Sequence, residues 1–181
     1  MSSSNTRKMV LAALFTALTT VATMVIRVPS LGPSGYANIG DTMVLLSAWI
    51  LGGWYGFMAA GLGSALADLF AGYVIYAPGT FVIKFLMAFA AFYLFRTLSG
   101  KGKVNFHLSC IVSAAAAEII MVLGYFGYEA VFLGYGLGAA PAIISNAFQG
   151  LTNIVLGTVI LFALKKANVL SKIYKEQEME G

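Results

Sequence analysis

From residue 9 to residue 26 the chain carries no charge, and runs of the same kind recur as far as residue 164. A hydrocarbon core of about 30 Å is crossed by roughly 20 apolar helical residues, with about 17 to 25 as the working range. Runs that meet or approach that length, bounded by charges, prolines or glycines, fall at 9–26, 42–51, 57–73, 79–95, 108–125 and 141–164. Composition agrees, with 60 % hydrophobic residues, 10 % charged residues and a mean hydropathy of +0.87, well outside the range of an ordinary soluble domain. The expectation is an all-α integral membrane protein in which six transmembrane helices form one bundle. A single domain would then cover residues 1–181, ending in a charged cytoplasmic tail at 165–181.

The second and third runs need separating. No charge lies between Asp41 and Asp68, and one helix over that distance would reach about 40 Å, too long for an ordinary span. The cluster Gly52, Gly53 and Gly56, set around Trp54, predicts a tight turn between two shorter helices. Orientation follows from the basic residues. With six spans, Arg7, Lys8, Arg96, Lys101, Lys103, Lys165, Lys166, Lys172 and Lys175 all fall on the side of the termini, nine of the eleven in the chain. Lysine and arginine accumulate on the cytoplasmic face, so both termini are expected there. The net charge of +4 thus reports topology and does not point to nucleic acid.

Several function classes drop out. The first run is longer than the core of a signal peptide and reads as a retained helix. A lone cysteine, Cys110, forms no internal disulfide. No Walker-type phosphate loop is present, so ATP-driven transport would need a partner. No histidine falls within a run, His107 lying at the cytoplasmic edge, and no paired nucleophile and base stands out, which argues against an enzyme. No metal or cofactor set is expected.

The external connections are 27–40, 74–78 and 127–140, rich in glycine, proline and tyrosine and nearly uncharged. Such loops can fold over a cavity as a lid or simply rest in the interfacial aromatic belt. Beneath them lie the charges that a bilayer penalises by about 2.5 to 3.5 kcal/mol each at a helix centre. Lys84 is six residues past Pro78, roughly 9 Å down. Asp68 stands at matching depth on the preceding, antiparallel run, so the two form either a structural ion pair or a pocket wall. Asn146, Gln149 and Asn153, three and four residues apart, share one face of the sixth helix as ligand contacts or as interhelical glue. Glu118 falls near the midplane without a local partner. Asp41 stands at the outer lip of the second helix as a cap or a ligand contact. With Asn38, Tyr76 and Tyr125 at the mouth, these residues are the expected substrate-binding set.

The order "NIGDTMVLLSAWILGGWYGFMAAGLGSALADLFAGYVIYAPGTFVIKFL" (38–86) resembles the substrate-binding S components of energy-coupling factor (ECF) vitamin transporters, of the riboflavin and hydroxymethylpyrimidine group. The elements that carry it are "GD", "GLGSALAD", "APGTF" and the following lysine. The resemblance implies a bacterial or archaeal multi-pass membrane protein that binds a vitamin in the outer half of the bilayer, under the loop between its first two helices. It also implies a transmembrane coupling protein and two cytosolic ATPases as partners, with the S component toppling in the membrane to deliver its ligand. The alanine motif by which such proteins meet the coupling protein matches Ala13 and Ala17. Acidic, amide and lysine side chains without an intramembrane arginine suit a neutral or weakly charged heterocycle, of the hydroxymethylpyrimidine, pyridoxine or riboflavin class. The alternative is a stand-alone carrier in which Asp68, Lys84 and Glu118 relay protons.

Overall fold

The computed structural model describes residues 3–100 and 104–170. Lys101, Lys103, Lys172 and Lys175, used above for orientation, and the tail beyond Leu170 lie outside the described residues. Six α-helices make one bundle: α1 (Ser3–Val25), α2 (Asp41–Leu46), α3 (Gly53–Phe70), α4 (Ala77–Gly100), α5 (Phe106–Gly127) and α6 (Ala140–Lys166). Four segments, Asn5–Val25, Ala77–Gly100, Phe106–Phe132 and Gly136–Lys166, are long and apolar enough to cross a membrane. α2 runs on as one π-helical turn, Ser47–Leu51, and the whole reaches about 16 Å, half the thickness of a hydrocarbon core. It sits in the middle of the bundle, touching α1, α3, α4 and α6.

Local chemistry explains the breaks. Gly52 adopts φ +60°, and a Cβ there would come within 2.5 Å of the Phe92 ring, so the turn out of the π-helical segment needs a glycine. Asn105 caps α5 by accepting the backbone N–H of His107 at 3.0 Å. Pro141 stands in the first turn of α6, where a missing N–H costs nothing. α3 approaches α1 closely because Gly63 has no side chain: a Cβ there would lie 2.7 Å from the Thr16 carbonyl oxygen. The Thr20 hydroxyl closes the same contact, 2.8 Å from the Gly63 carbonyl.

Two connections differ from the irregular loops expected. Residues 27–38 fold into an antiparallel hairpin, β1 (Arg27–Pro29) with β2 (Tyr36–Asn38), pairing Arg27 with Asn38 and Pro29 with Tyr36. Three-residue strands are too short to show an alternating pattern in sequence. Past Gly127, α5 continues through a π-helical turn, Tyr128–Phe132, and a 3-10 turn, Gly136–Ala139, leads into α6. The connection expected at 127–140 is therefore mostly helical.

The dry core lies at the end away from the hairpin. Phe57 meets Phe85, Phe89 and Phe92 edge-on with centroids 5.5 to 5.6 Å apart, the favoured geometry for aromatic pairs. Trp49, Met87, Ala91, Cys110, Ala114 and Leu161 fill the space between them and α6. Trp49 Nε1 donates to Ser113 Oγ at 3.1 Å, satisfying its polar edge. Ala13 and Ala17 lie on the exposed side of α1, beside exposed Val10, Leu14 and Val21.

Candidate functional site

Under the hairpin, between α1, α3, α4, α5 and α6, lies a polar cavity of about 30 Å³, room for roughly two waters. Asn38, Asp68, Tyr76 and Lys84 line it, with Tyr125, Asn146 and Gln149. Those seven residues were singled out from sequence, and the structure brings them together at one end of the bundle. Asp41, Glu118 and Asn153 are not part of its lining.

Asp41 is fully buried, where the sequence reading placed it at the outer lip. No side-chain hydrogen bond caps α2. Its carboxylate instead pairs with the Lys84 ammonium through Oδ1 and accepts Gln149 Nε2 at Oδ2, 2.5 Å away. The suggested Asp68–Lys84 ion pair is corrected accordingly. Depth along antiparallel helices was read properly from residue counting, and both side chains reach the same cavity. What counting could not reveal is that the short α2 enters the bundle centre and delivers Asp41 to the lysine.

Asp68 takes a different partner. Tyr36, carried in by β2, donates its phenol hydroxyl to Asp68 Oδ1 at 2.8 Å. Burial, followed by the charge of the Asp68 carboxylate, pushes the Tyr36 phenol well above its ordinary range, so it remains a donor. Its ring lies 4.9 Å from that of Tyr73, and the Arg27 guanidinium stands 5.7 Å from its centroid. Tyr76 continues the aromatic rim, 6.1 Å from Tyr73 and 6.2 Å from Tyr128. Its hydroxyl donates to Glu129 Oε1 at 3.2 Å. Deeper in, the Tyr125 and Thr80 hydroxyls lie 3.0 Å apart, and the Lys84 ammonium stands 5.2 Å from the Tyr125 ring.

The polar stripe on α6 divides its work. Asn146 and Gln149 face the cavity, whereas Asn153 ties elements together. Its Oδ1 accepts the Thr42 backbone N–H at 2.9 Å and the Thr42 hydroxyl at 2.8 Å, and its Nδ2 donates to the Asn38 carbonyl at 2.9 Å. Gln149 Oε1 also accepts the Asn38 N–H at 2.8 Å. At the hairpin tip, the Leu31 N–H donates to Ser145 Oγ at 2.8 Å. Glu118 is 4 % exposed, and neither of its carboxyl oxygens has a hydrogen-bond partner among the described residues. It packs against Gly150 of α6, within electrostatic reach of Asp41 and Lys84.

Sequence reasoning missed Tyr36, Tyr73, Thr80 and Glu129 as lining residues. Glu129 could have been found as the one charge in the connection at 127–140. Among the described residues, no three His, Cys, Asp or Glu side chains gather as metal ligands would. The arrangement offers tyrosine faces, two carboxyl groups, amides and hydroxyls to a small polar aromatic molecule, a donor and acceptor set for binding.

Comparison with known proteins adds three findings. Residues 3–168 match the family described as ECF-type riboflavin transporter, S component. A Pyrococcus woesei protein described as an uncharacterized protein in the gap 3' region is 33 % identical over 147 residues, 81 % of this chain and 94 % of that one. A solved structure, described under "Structure and mechanism of the S component of a bacterial ECF transporter", matches with a TM-score of 0.65 at 17 % identity, over 92 % of this chain and 98 % of that chain. The last is a likeness of fold.

Proposed function

Because the chain belongs to the family of ECF-type riboflavin transporter S components, we propose that it captures a vitamin or vitamin precursor outside the cell for ATP-driven uptake by an ECF-type ABC importer. The family is one of transporter subunits and not of enzymes. The observation that carries the reading is the cavity under the hairpin, with Asp68, Lys84, Asn146 and Gln149 from three helices facing it among tyrosines. In this reading all six helices belong to the bacterial or archaeal cell membrane, both termini are cytoplasmic, and the hairpin end faces outward. S components partner with a transmembrane coupling protein and ATPase modules; here one coupling protein and two ATPases supply the energy. The exposed face of α1 around Ala13 and Ala17 meets the coupling protein. Asn38, Tyr76, Tyr125 and the two α6 amides join Asp68 in holding a heterocycle of the hydroxymethylpyrimidine, pyridoxine or riboflavin class. Asp41 and Asn153 hold Lys84 and the hairpin in place behind them.

The cavity is narrow and the Tyr36 hydroxyl occupies Asp68, so in this reading the hairpin and its Tyr36 move aside as the ligand enters. The test is to purify the protein from cells grown in rich medium and to identify the retained small molecule by mass spectrometry. A vitamin or precursor in stoichiometric amount is expected. A protein that retains none, and binds none when offered them, defeats the proposal.

A second reading keeps a foothold in Glu118, whose buried carboxyl lacks any hydrogen-bond partner. In a stand-alone proton-coupled carrier that group would load and release a proton beside the Asp41–Lys84 pair. Uptake by such a carrier collapses with an uncoupler and survives loss of the ATPases, the reverse of what an ECF importer does.

A further inference from the structure

The charges around the cavity do not balance. Lys84 is the one cationic side chain in the lining, and Asp41 behind it already takes its charge. Asp68 and Glu129 also face the cavity, 6 % and 3 % exposed, and neither has an ion-pair partner among the described residues. Arg27, at the mouth, approaches the Tyr36 ring and is not part of the lining. Two carboxyl groups therefore face one small space with no cation in ion-pair contact with either among the described residues.

Their hydrogen bonds point the same way. Glu129 Oε1 accepts from Tyr76, but Oε2 is buried with no donor among the described residues. A buried acceptor left unmade costs about 1 to 3 kcal/mol, and more for a charged group, and Glu129, unlike Glu118, lines the cavity, where a ligand can supply the donor. Asp68 shows what that donor resembles. It is met by a flat ring bearing a hydrogen-bond donor, the Tyr36 phenol, at 2.8 Å, with a second ring, Tyr73, 4.9 Å beyond.

We infer, on the vitamin-binding reading above, that the ligand is an aromatic heterocycle carrying a positive charge. Its cationic or N–H edge displaces the Tyr36 hydroxyl from Asp68 and supplies Glu129 Oε2 with the donor it lacks. Charge-assisted hydrogen bonds of this kind are roughly twice as strong as neutral ones, and the tyrosine faces around the site add cation–π attraction. A neutral ring system such as that of riboflavin leaves both carboxyl groups uncompensated. The site is thereby selective by charge within the vitamins, a distinction that family membership alone does not make.

The test uses the full-length protein in detergent with three probes: thiamin, a permanent cation; pyridoxamine, which carries an ammonium group; and riboflavin, which is neutral. Dissociation constants are measured at neutral pH by calorimetry, for the parent protein and for Glu129→Gln and Asp68→Asn. At least one cation is expected to bind about tenfold or more tightly than riboflavin, which is about 1.4 kcal/mol, and both variants should narrow that ratio. Size-exclusion profiles identify a variant that fails to fold, in which case the other carries the test. Riboflavin binding within about tenfold of both cations, or tighter, overturns the inference, as does an unchanged ratio in the folded variants. Either result leaves the vitamin-binding reading standing. Failure to bind any probe or retained vitamin defeats that reading and the inference with it.

Discussion

At the hairpin end of the bundle Asp41, Asp68, Lys84 and Glu129 are all buried, whereas at the other end the buried residues are Trp49, Phe57, Met87, Cys110 and Leu161. The same helices, α3 to α6, build both ends. Half of each helix is thus packed like a dry interior, where contact area sets stability, and half like a polar site, where each side chain depends on a particular partner. The difference teaches which half can rearrange. Close-packed alanines and aromatics offer no second arrangement of equal quality. A tyrosine hydroxyl on a carboxylate can be replaced by another donor of the same shape.

The sharpest way to break this contrast is to remove the ammonium that neutralises Asp41. Lys84→Ala strands a buried carboxylate, and breaking a buried pair costs about 3 to 5 kcal/mol. Thermal unfolding in detergent should show the largest drop of any single change at the hairpin end, and the double variant Lys84→Met with Asp41→Asn should recover most of it. Phe57→Ala attacks the other end at a comparable cost of about 3 to 5 kcal/mol. Its unfolding midpoint should fall while the ligand dissociation constant of the folded fraction stays put; a weakened affinity would show that the two ends are not separable. Asn153→Ala leaves the Thr42 hydroxyl and the Asn38 carbonyl short of a partner, at about 1 to 3 kcal/mol, and should loosen the hairpin in hydrogen exchange before it affects α3 or α5. Tyr36→Phe removes one hydrogen bond, worth about 0.5 to 1.5 kcal/mol. Under the proposed ligand contact with Asp68, which that hydroxyl would contest, titration should show affinity rising, by up to about tenfold. Ala13→Trp is expected to do least to the molecule itself, sparing unfolding temperature and ligand binding, while complex assembly and uptake are lost. Normal uptake by that variant would remove α1 from the docking surface.

Much of the fold was legible because it rests on length and punctuation. The apolar runs, the glycines after Leu51 and the proline at 141 mark helices whose bounds agree with the structure to within a few residues in most cases; α1, which starts at Ser3, and α4, which ends at Gly100, extend further. The hairpin was not legible, since Arg27–Pro29 and Tyr36–Asn38 carry no alternation and are held by Gln149 and Asn153, residues more than a hundred positions away. At the site, residue counting yields depth but not the direction in which a side chain faces around the helix axis. Asp68 and Lys84 therefore stand at one level and share one cavity wall, one of the two expected arrangements, while the ion pair offered as the other is made by Lys84 with Asp41. Glu129 stands out in sequence only as a lone charge in a glycine-rich connection, since nothing there signals that the helix continues through it by a π turn.

Gln149 holds the Asn38 backbone with its oxygen and Asp41 with its nitrogen. One amide thereby links the cover of the cavity to the Asp41–Lys84 pair behind it, and lifting the cover frees its oxygen while its nitrogen stays on Asp41. The cover is also tied by Asn153 to Asn38, by Tyr36 to Asp68 and by Leu31 to Ser145, so its rate of lifting would be set by all of these in concert and not by any one of them.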